Sequence, residues 1–323
     1  MRTILLCLVP LLGVLVASPA GTEVAPGTPV APGTPVAPAT PVAPAAPVAP
    51  AGPSLEPRVS WSPDPPRQGT LFRVVVEPGD EPLANAGGRF AGEPLHFQAD
   101  DSLGWWALAA VPVDARESAV LEVGWRTPDG TRGSQVMNVP VAPGSFRLER
   151  LSVAPGFTAP RDSALQARID DESDRAMAVA RAAHDTAPLW TPGSLQRPRD
   201  TRVTSGFGNG REFNGEVVSQ HMGTDLQGAV GAPVLAPVDG VVRLVDSFYL
   251  GGNVIYIDHG AGLVTAYLHL SAHEVSQGDA VEPGQVIGRV GATGRVTGPH
   301  LHWIVRYGAI TVDGLSLLAL AGS

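Results

Sequence analysis

The chain has 323 residues, 22 basic and 31 acidic side chains, and a formal net charge of −9. The acidic residues form no long runs, and this balance argues against nucleic acid and anionic membrane surfaces as partners. Every basic side chain is arginine, so a chemistry that must modify a lysine is excluded.

Residues 1–20 read as a secretory signal peptide. Arg2 supplies the charged start, Ile4 to Val16 the apolar stretch, and Ser18, Pro19 and Ala20 the small residues at the cleavage positions. The apolar run is too short for a stable membrane span. Cys7, the single cysteine, lies inside it. Lipid attachment there is disfavoured, because Leu6 stands where a small residue is wanted and the apolar run would be cut in two. After cleavage no thiol remains, so no disulfide forms. The expected location is exported, either periplasmic or extracellular at the cell envelope.

Residues 21–55 form a Pro/Ala-rich linker. From Pro26 to Pro53 a proline falls at every third position. Polyproline II has three residues per turn, so the prolines line one edge of an extended rod. At about 3.1 Å per residue the rod reaches roughly 90 Å. It reads as a spacer, with docking of other cell-wall proteins as the second reading.

Residues 56–148 read as an immunoglobulin-like β-sandwich. RVSW, LFRVVVEP, PLHFQ, WWALAAVPVD, AVLEVGWRTPDG and SQVMNVPV are short alternating runs separated by Gly, Pro and Asp turns. Phe72, Val74 and Val76 share one face, as do Leu121, Val123 and Trp125. His96 is read as an isolated, half-buried strand residue. Residues 149–199 are a helix and a linker. Asp162 or Ser163 caps a helix over 162–185 whose stripe is Leu165, Ile169, Ala176, Val179 and Ala183. His184 falls at its end, in a solvated or dipole-facing position. Pro188 and Pro192 end the helix.

Residues 200–318 are mostly strands with glycine at the corners. They hold all four tyrosines and six of the eight histidines. Gly206 to Gly215 reads as a mobile loop walling a groove, with Asn209, Arg211 and Asn214 available to a peptide carbonyl or carboxylate. His259 and His273 read as turn or surface residues. Tyr267 is placed on the strand face of His269, where it packs or touches substrate.

Five residues here carry chemistry: His221 and Asp225 in SQHMGTD, His269 in AYLHL, and His300 and His302 in TGPHLHW. Imidazole and carboxylate groups in this number suit one zinc ion with a position open for water. His300 and His302 are two apart, so a strand presents both on one face. His221 and Asp225 are four apart around Gly223, which suits a helix face or a tight loop entering a strand; the surroundings favour the loop. Spacing alone leaves Asp225 as either ligand or base.

SQHMGTDL, GAPVLAPVDGVV, NVIYIDHGAGLVTAYLHL and GDAVEPGQVIGRVGATGRVTGPHLHW resemble the lysostaphin/LytM-type zinc metallopeptidases, peptidase family M23. The resemblance covers roughly residues 200–315. It implies an antiparallel β-sheet-rich catalytic domain within a mainly β chain, one Zn2+ per chain, and hydrolysis of peptide bonds in peptidoglycan stem peptides or cross-links by a zinc-activated water. It implies His221, Asp225 and His302 as zinc ligands and His269 and His300 as catalytic histidines. Of these two, His300 is the expected general base, since a neutral imidazole near pH 7 accepts a proton well, and the two roles are exchangeable.

Three other readings compete. A lipoyl-type carrier domain, suggested by GDAVEPGQVIGRVGATG, fails for want of a lysine. A non-catalytic regulator with a degenerate metal site is opposed by the five intact residues. A latent enzyme, its groove covered by residues 162–200, has no residue there that identifies itself.

Overall fold

The computed structural model describes residues 56–159, 161–215 and 217–321. The expected signal peptide and the proline-rich linker lie outside the described residues.

The chain is mainly β. The first eight strands are β1 Arg58–Ser62, β2 Leu71–Glu77, β3 Asn85–Phe90, β4 Glu93–Leu95, β5 Gln98–Asp100, β6 Gly104–Ala110, β7 Ser118–Arg126 and β8 Arg132–Pro140. They make two antiparallel four-stranded sheets, ordered β1-β2-β6-β5 and β4-β3-β7-β8. The alternating apolar residues of β2 and β7 point inward, and Phe72 meets Phe90 of the facing sheet edge-on, 4.9 Å between centroids. With the strands lettered A, B, C, C′, D, E, F and G in chain order, the sheets read A-B-E-D and C′-C-F-G, an order in keeping with an immunoglobulin-like sandwich.

After the sandwich come β9 Leu148–Leu151 and α1 Ser163–Ala182. Asp162 caps α1, its carboxylate accepting from Leu165 N at 2.7 Å. The buried face of α1 is Ile169, Glu172, Ala176 and Ala180. Leu165 and Val179, expected on that stripe, are only half-buried. Twelve further strands follow: β10 Val203–Ser205, β11 Gly210–Phe213, β12 Val217–Gln220, β13 Thr224–Gln227, β14 Pro233–Leu235, β15 Gly240–Phe248, β16 Gly252–Gly260, β17 Leu263–His273, β18 Ala280–Val281, β19 Val286–Val290, β20 His300–Tyr307 and β21 Ile310–Val312. A last helix, α2, spans Gly314–Ala321.

The main sheet runs β10-β13-β20-β17-β16-β15-β18, extended by β14, β19 and β21. Strand alternation gives it two different faces. Leu226, Tyr267, Leu301, Trp303 and Val305 point into a core that also contains Phe72, Trp106 and Leu121 of the sandwich. Trp190, in the expected linker, is buried in the same core, edge-on to Trp106 at 6.2 Å. The opposite face packs Val254, Tyr256, Val264, Ala266 and Ile304 against Ala176 and Ala183.

Several expectations need correction. The 206–215 segment is not a mobile loop: β11 pairs antiparallel with β12 and parallel with β9. His259 is not at the surface but fully buried in β16, between the carbonyl of Asp239 at 2.7 Å and Thr265 Oγ1 at 2.8 Å. His273 ends β17, half-buried. His96 is neither isolated nor in a strand. It lies between β4 and β5 with Nε2 2.8 Å from His184 Nδ1. His184 is correspondingly not solvated, since its Nε2 meets Glu93 Oε2 at 2.8 Å. Among the described residues, no helix is long and apolar enough to cross a membrane.

Candidate metal centre

Asp225 and His302 lie directly opposite each other on the paired strands β13 and β20. Their neighbours Leu226, Leu301 and Trp303 point to the core, so alternation turns the carboxylate and the imidazole together to the other face. His221 enters from the loop between β12 and β13. That loop must pass close over His302: a Cβ on Gly223 would come within 2.6 Å of the His302 ring and 2.8 Å of the Trp303 carbonyl. Only glycine fits there.

His302 Nδ1 lies 2.8 Å from Asp225 Oδ1, His221 Nε2 3.1 Å from the same oxygen, and the two nitrogens 3.0 Å apart. All three residues are buried. These separations are roughly the edge of a tetrahedron with bonds of about 2.0–2.1 Å, the length of zinc bonds to nitrogen and oxygen. The donor set therefore fits the ion that the sequence implies.

His269 reaches the site by a different device. Opposite Asn253 and Ile255 of β16 stand Leu270 and Tyr267, so β17 carries an extra residue. His269 itself has φ +63°. The bulge and the left-handed turn reverse the local alternation. Tyr267 therefore stays in the core, its hydroxyl 2.8 Å from Thr265 Oγ1, while the His269 ring sits 5.1 Å from that of His300 and 5.7 Å from that of His302. This corrects the expectation that Tyr267 and His269 share a face: Tyr267 has no access to a substrate. His300, the first residue of β20, places Nε2 3.5 Å from Asp225 Oδ1.

Main-chain carbonyls orient three of the rings. His221 Nδ1 is 2.8 Å from Gly206 O, His269 Nδ1 2.9 Å from Thr293 O, and His300 Nδ1 2.8 Å from Gly298 O. A carbonyl only accepts, so each Nδ1 carries a proton, and in the neutral ring Nε2 is the acceptor. Burial pushes His302 down to about 4. Burial, then the neighbouring His302 and His300, holds His269 well below its ordinary value. Burial would raise the Asp225 carboxyl, but the His221 and His302 rings set against it outweigh burial and hold it well below the usual range.

The second carboxylate oxygen of Asp225 accepts from Arg211 at 2.5 Å. Arg211 in turn lies 3.4 Å from Glu149 of β9, whose carboxylate also accepts from Ser205 Oγ at 2.8 Å and Asn209 Nδ2 at 2.8 Å. Of the three polar side chains expected to meet a peptide from this segment, Asn209 is instead tied to Glu149 and Asn214 to the backbone of Val153. Glu149, Ser205 and the three carbonyls were not foreseen. No sequence spacing signals them, because Glu149 arrives through a parallel strand pair and carbonyls have no residue identity.

Two cavities flank the centre. One, of about 390 Å³, is bordered by Asp225 and His300; the other, of about 190 Å³, by His221, His269 and His302.

The model of peptidase family M23 matches residues 219–314. Over these residues the chain carries a domain similar to that family's. Within it lie all five residues of the centre. The chain is 42% identical over 111 residues to the peptidoglycan DD-endopeptidase ShyC of Vibrio cholerae, covering 34% of this chain and 26% of that protein. It is 40% identical over 117 residues to the DD-carboxypeptidase/endopeptidase Mpg of Neisseria meningitidis, covering 36% of this chain and 27% of that protein. The chain thus spans about a quarter of the length of these curated relatives. A crystal structure of a Pseudomonas aeruginosa protein assigned to peptidase M23 superposes with TM-score 0.61 at 25% identity, covering 79% of this chain and 96% of that one. That likeness extends upstream of the M23 match.

Proposed function

We propose that this chain is an exported zinc metalloendopeptidase that hydrolyses peptide bonds in peptidoglycan stem peptides or cross-links. One observation carries the reading: His221 Nε2, His302 Nδ1 and Asp225 Oδ1 converge within 2.8–3.1 Å of one another beside two further histidines. The kinship with ShyC and Mpg supplies the substrate class.

His221, Asp225 and His302 hold the zinc. When bound, it supplies a Lewis acid for the peptide carbonyl and lowers the pKa of water at its open position. Arg211 occupies the outer oxygen of Asp225 and leaves the inner one for the metal. His300, with Nδ1 committed to Gly298, can only accept at Nε2 and takes the proton of the attacking water. The proton that His300 takes from the water is the one delivered to the leaving amine, while His269, anchored on Thr293, is the second ring at the reacting carbonyl. The two roles are distinguished by kinetics rather than by spacing. The sandwich and the proline-rich segment present the M23 domain to the wall. Residues 56–148, 149–199 and 200–318 serve as its sandwich, connector and catalytic parts.

The test is digestion of purified peptidoglycans of known cross-link chemistry, with fragments identified by mass spectrometry. Peptide-bond cleavage that stops with chelator and returns with zinc is expected. Intact walls after incubation with the zinc-loaded protein would refute the proposal.

A further inference from the structure

Arg295 lies on the loop joining β19 to β20. The same loop supplies Thr293 O to His269 and Gly298 O to His300, so Arg295 stands between the two carbonyls that orient the catalytic rings. Its backbone N donates to Leu250 O at 2.9 Å, and its guanidinium sits 4.3 Å from the centroid of Phe213. It borders both cavities of the metal centre.

This cation lacks an anionic partner among the described residues. The nearby carboxylates are spent elsewhere: Glu149 on Arg211, and Asp225 on Arg211 and the metal-ligand set. Burial pushes the Arg295 guanidinium down, as do the charges of Arg161 and Arg211, and no carboxylate among the described residues offsets them. A half-desolvated guanidinium held in place without an anion is costly. Its planar fork is matched to a carboxylate. Arg211 cannot play this part, because it already bridges Glu149 and Asp225. With a divalent ion in place, the charge around the groove is net positive, which favours an anionic ligand.

We propose that Arg295 is the anchor of a carboxylate-binding subsite beside the scissile bond, so that the substrate peptide carries a free carboxylate within reach of the cut. The proposal rests on the peptidase reading and narrows its substrate. Phe213 supports the guanidinium from one side, and the cavities on either side of it admit the peptide. A bridge built only of glycine offers no such group, whereas a stem peptide carries free carboxylates at its C-terminus and on the branch of its diamino acid.

The experiment uses synthetic cross-linked stem peptides that differ only in amidation: of the terminal carboxylate, of the branch carboxylate, or of both. Binding is measured by calorimetry in the zinc-loaded His300→Ala protein, and hydrolysis in the zinc-loaded wild type. A free carboxylate is expected to tighten binding by about tenfold or more over the doubly amidated peptide, the range of a charge-assisted hydrogen bond. The single amidation that removes this gain identifies which carboxylate is read. Arg295→Met should collapse the preference to within about twofold, and Arg295→Lys should keep part of it, both with zinc content unchanged. Equal binding of free and doubly amidated peptides, or a preference that survives in Arg295→Met, would overturn the subsite while leaving hydrolysis standing. A preference without hydrolysis in the wild type would instead sink the peptidase reading and leave the subsite.

Discussion

At the residue scale, the centre is defined as much by what orients the side chains as by the side chains themselves. His221, His269 and His300 each give Nδ1–H to a carbonyl, which fixes the tautomer: in the neutral rings the outward nitrogens are the acceptors. His221→Ala should therefore lose both zinc and activity, whereas His300→Ala should keep zinc and lose turnover by about 10²–10⁴-fold. Metal analysis beside initial rates checks both, and undiminished hydrolysis by His300→Ala would remove its role as base. Arg211 acts one step further out, through Asp225 Oδ2. Arg211→Met should weaken zinc binding by about 10–100-fold, read by competition with a chromogenic chelator. The five candidate residues were legible because their side chains are their chemistry. The groups behind them were not, since a carbonyl is the same in every residue.

At the element scale, legibility followed side-chain pattern. β2, β7, β16, β17 and β20 announce themselves by alternating apolar residues. β3 does not: in NAGGRF only Phe90 is fully buried, and two glycines erase the pattern. The run PLHFQ was one segment in the sequence and is two short strands around a loop in the fold. The bulge in β17 left no mark either, because one extra residue changes which face a side chain meets without changing composition. The terminal helix α2 was missed, as its apolar run is short and its packing partner is remote. Its role is nonetheless structural. Leu317 is fully buried, and Ser316 Oγ accepts from Leu71 N of β2 at 3.0 Å. Leu317→Ala should destabilise the protein by about 2–5 kcal/mol, measured by denaturant unfolding. A change below about 1 kcal/mol would show that α2 is dispensable to the core.

At the scale of the whole molecule, the sandwich and the main sheet share one apolar core, with Trp190 and α2 filling the junction. Separate linker and domain boundaries were read from composition, and composition is blind to a linker that buries a tryptophan. A shared core predicts one cooperative calorimetric transition for the described residues; two well-separated transitions would contradict it. The midpoint should also depend on pH. Burial pushes His259 down to about 4, so between its ordinary value near 6.5 and about 4 the unfolded chain binds a proton that the folded chain refuses. His259's contribution to stability is therefore full above that window and falls as the pH drops through it, by roughly 3 kcal/mol from this one group. His259→Gln should flatten this slope, as followed by melting temperature between pH 7 and pH 5. An unaltered slope would place the titrating group elsewhere.

The β9–β11 pairing bears on how this catalytic part can be isolated. A recombinant fragment trimmed to residues 219–314 would retain all five chemistry-bearing side chains yet discard Gly206, Arg211 and Glu149. Its first histidine would lose the oxygen that fixes its tautomer, and its aspartate the guanidinium that occupies the far oxygen. A truncation meant to preserve the native metal pocket must start before Leu148, at the tail of the preceding sandwich.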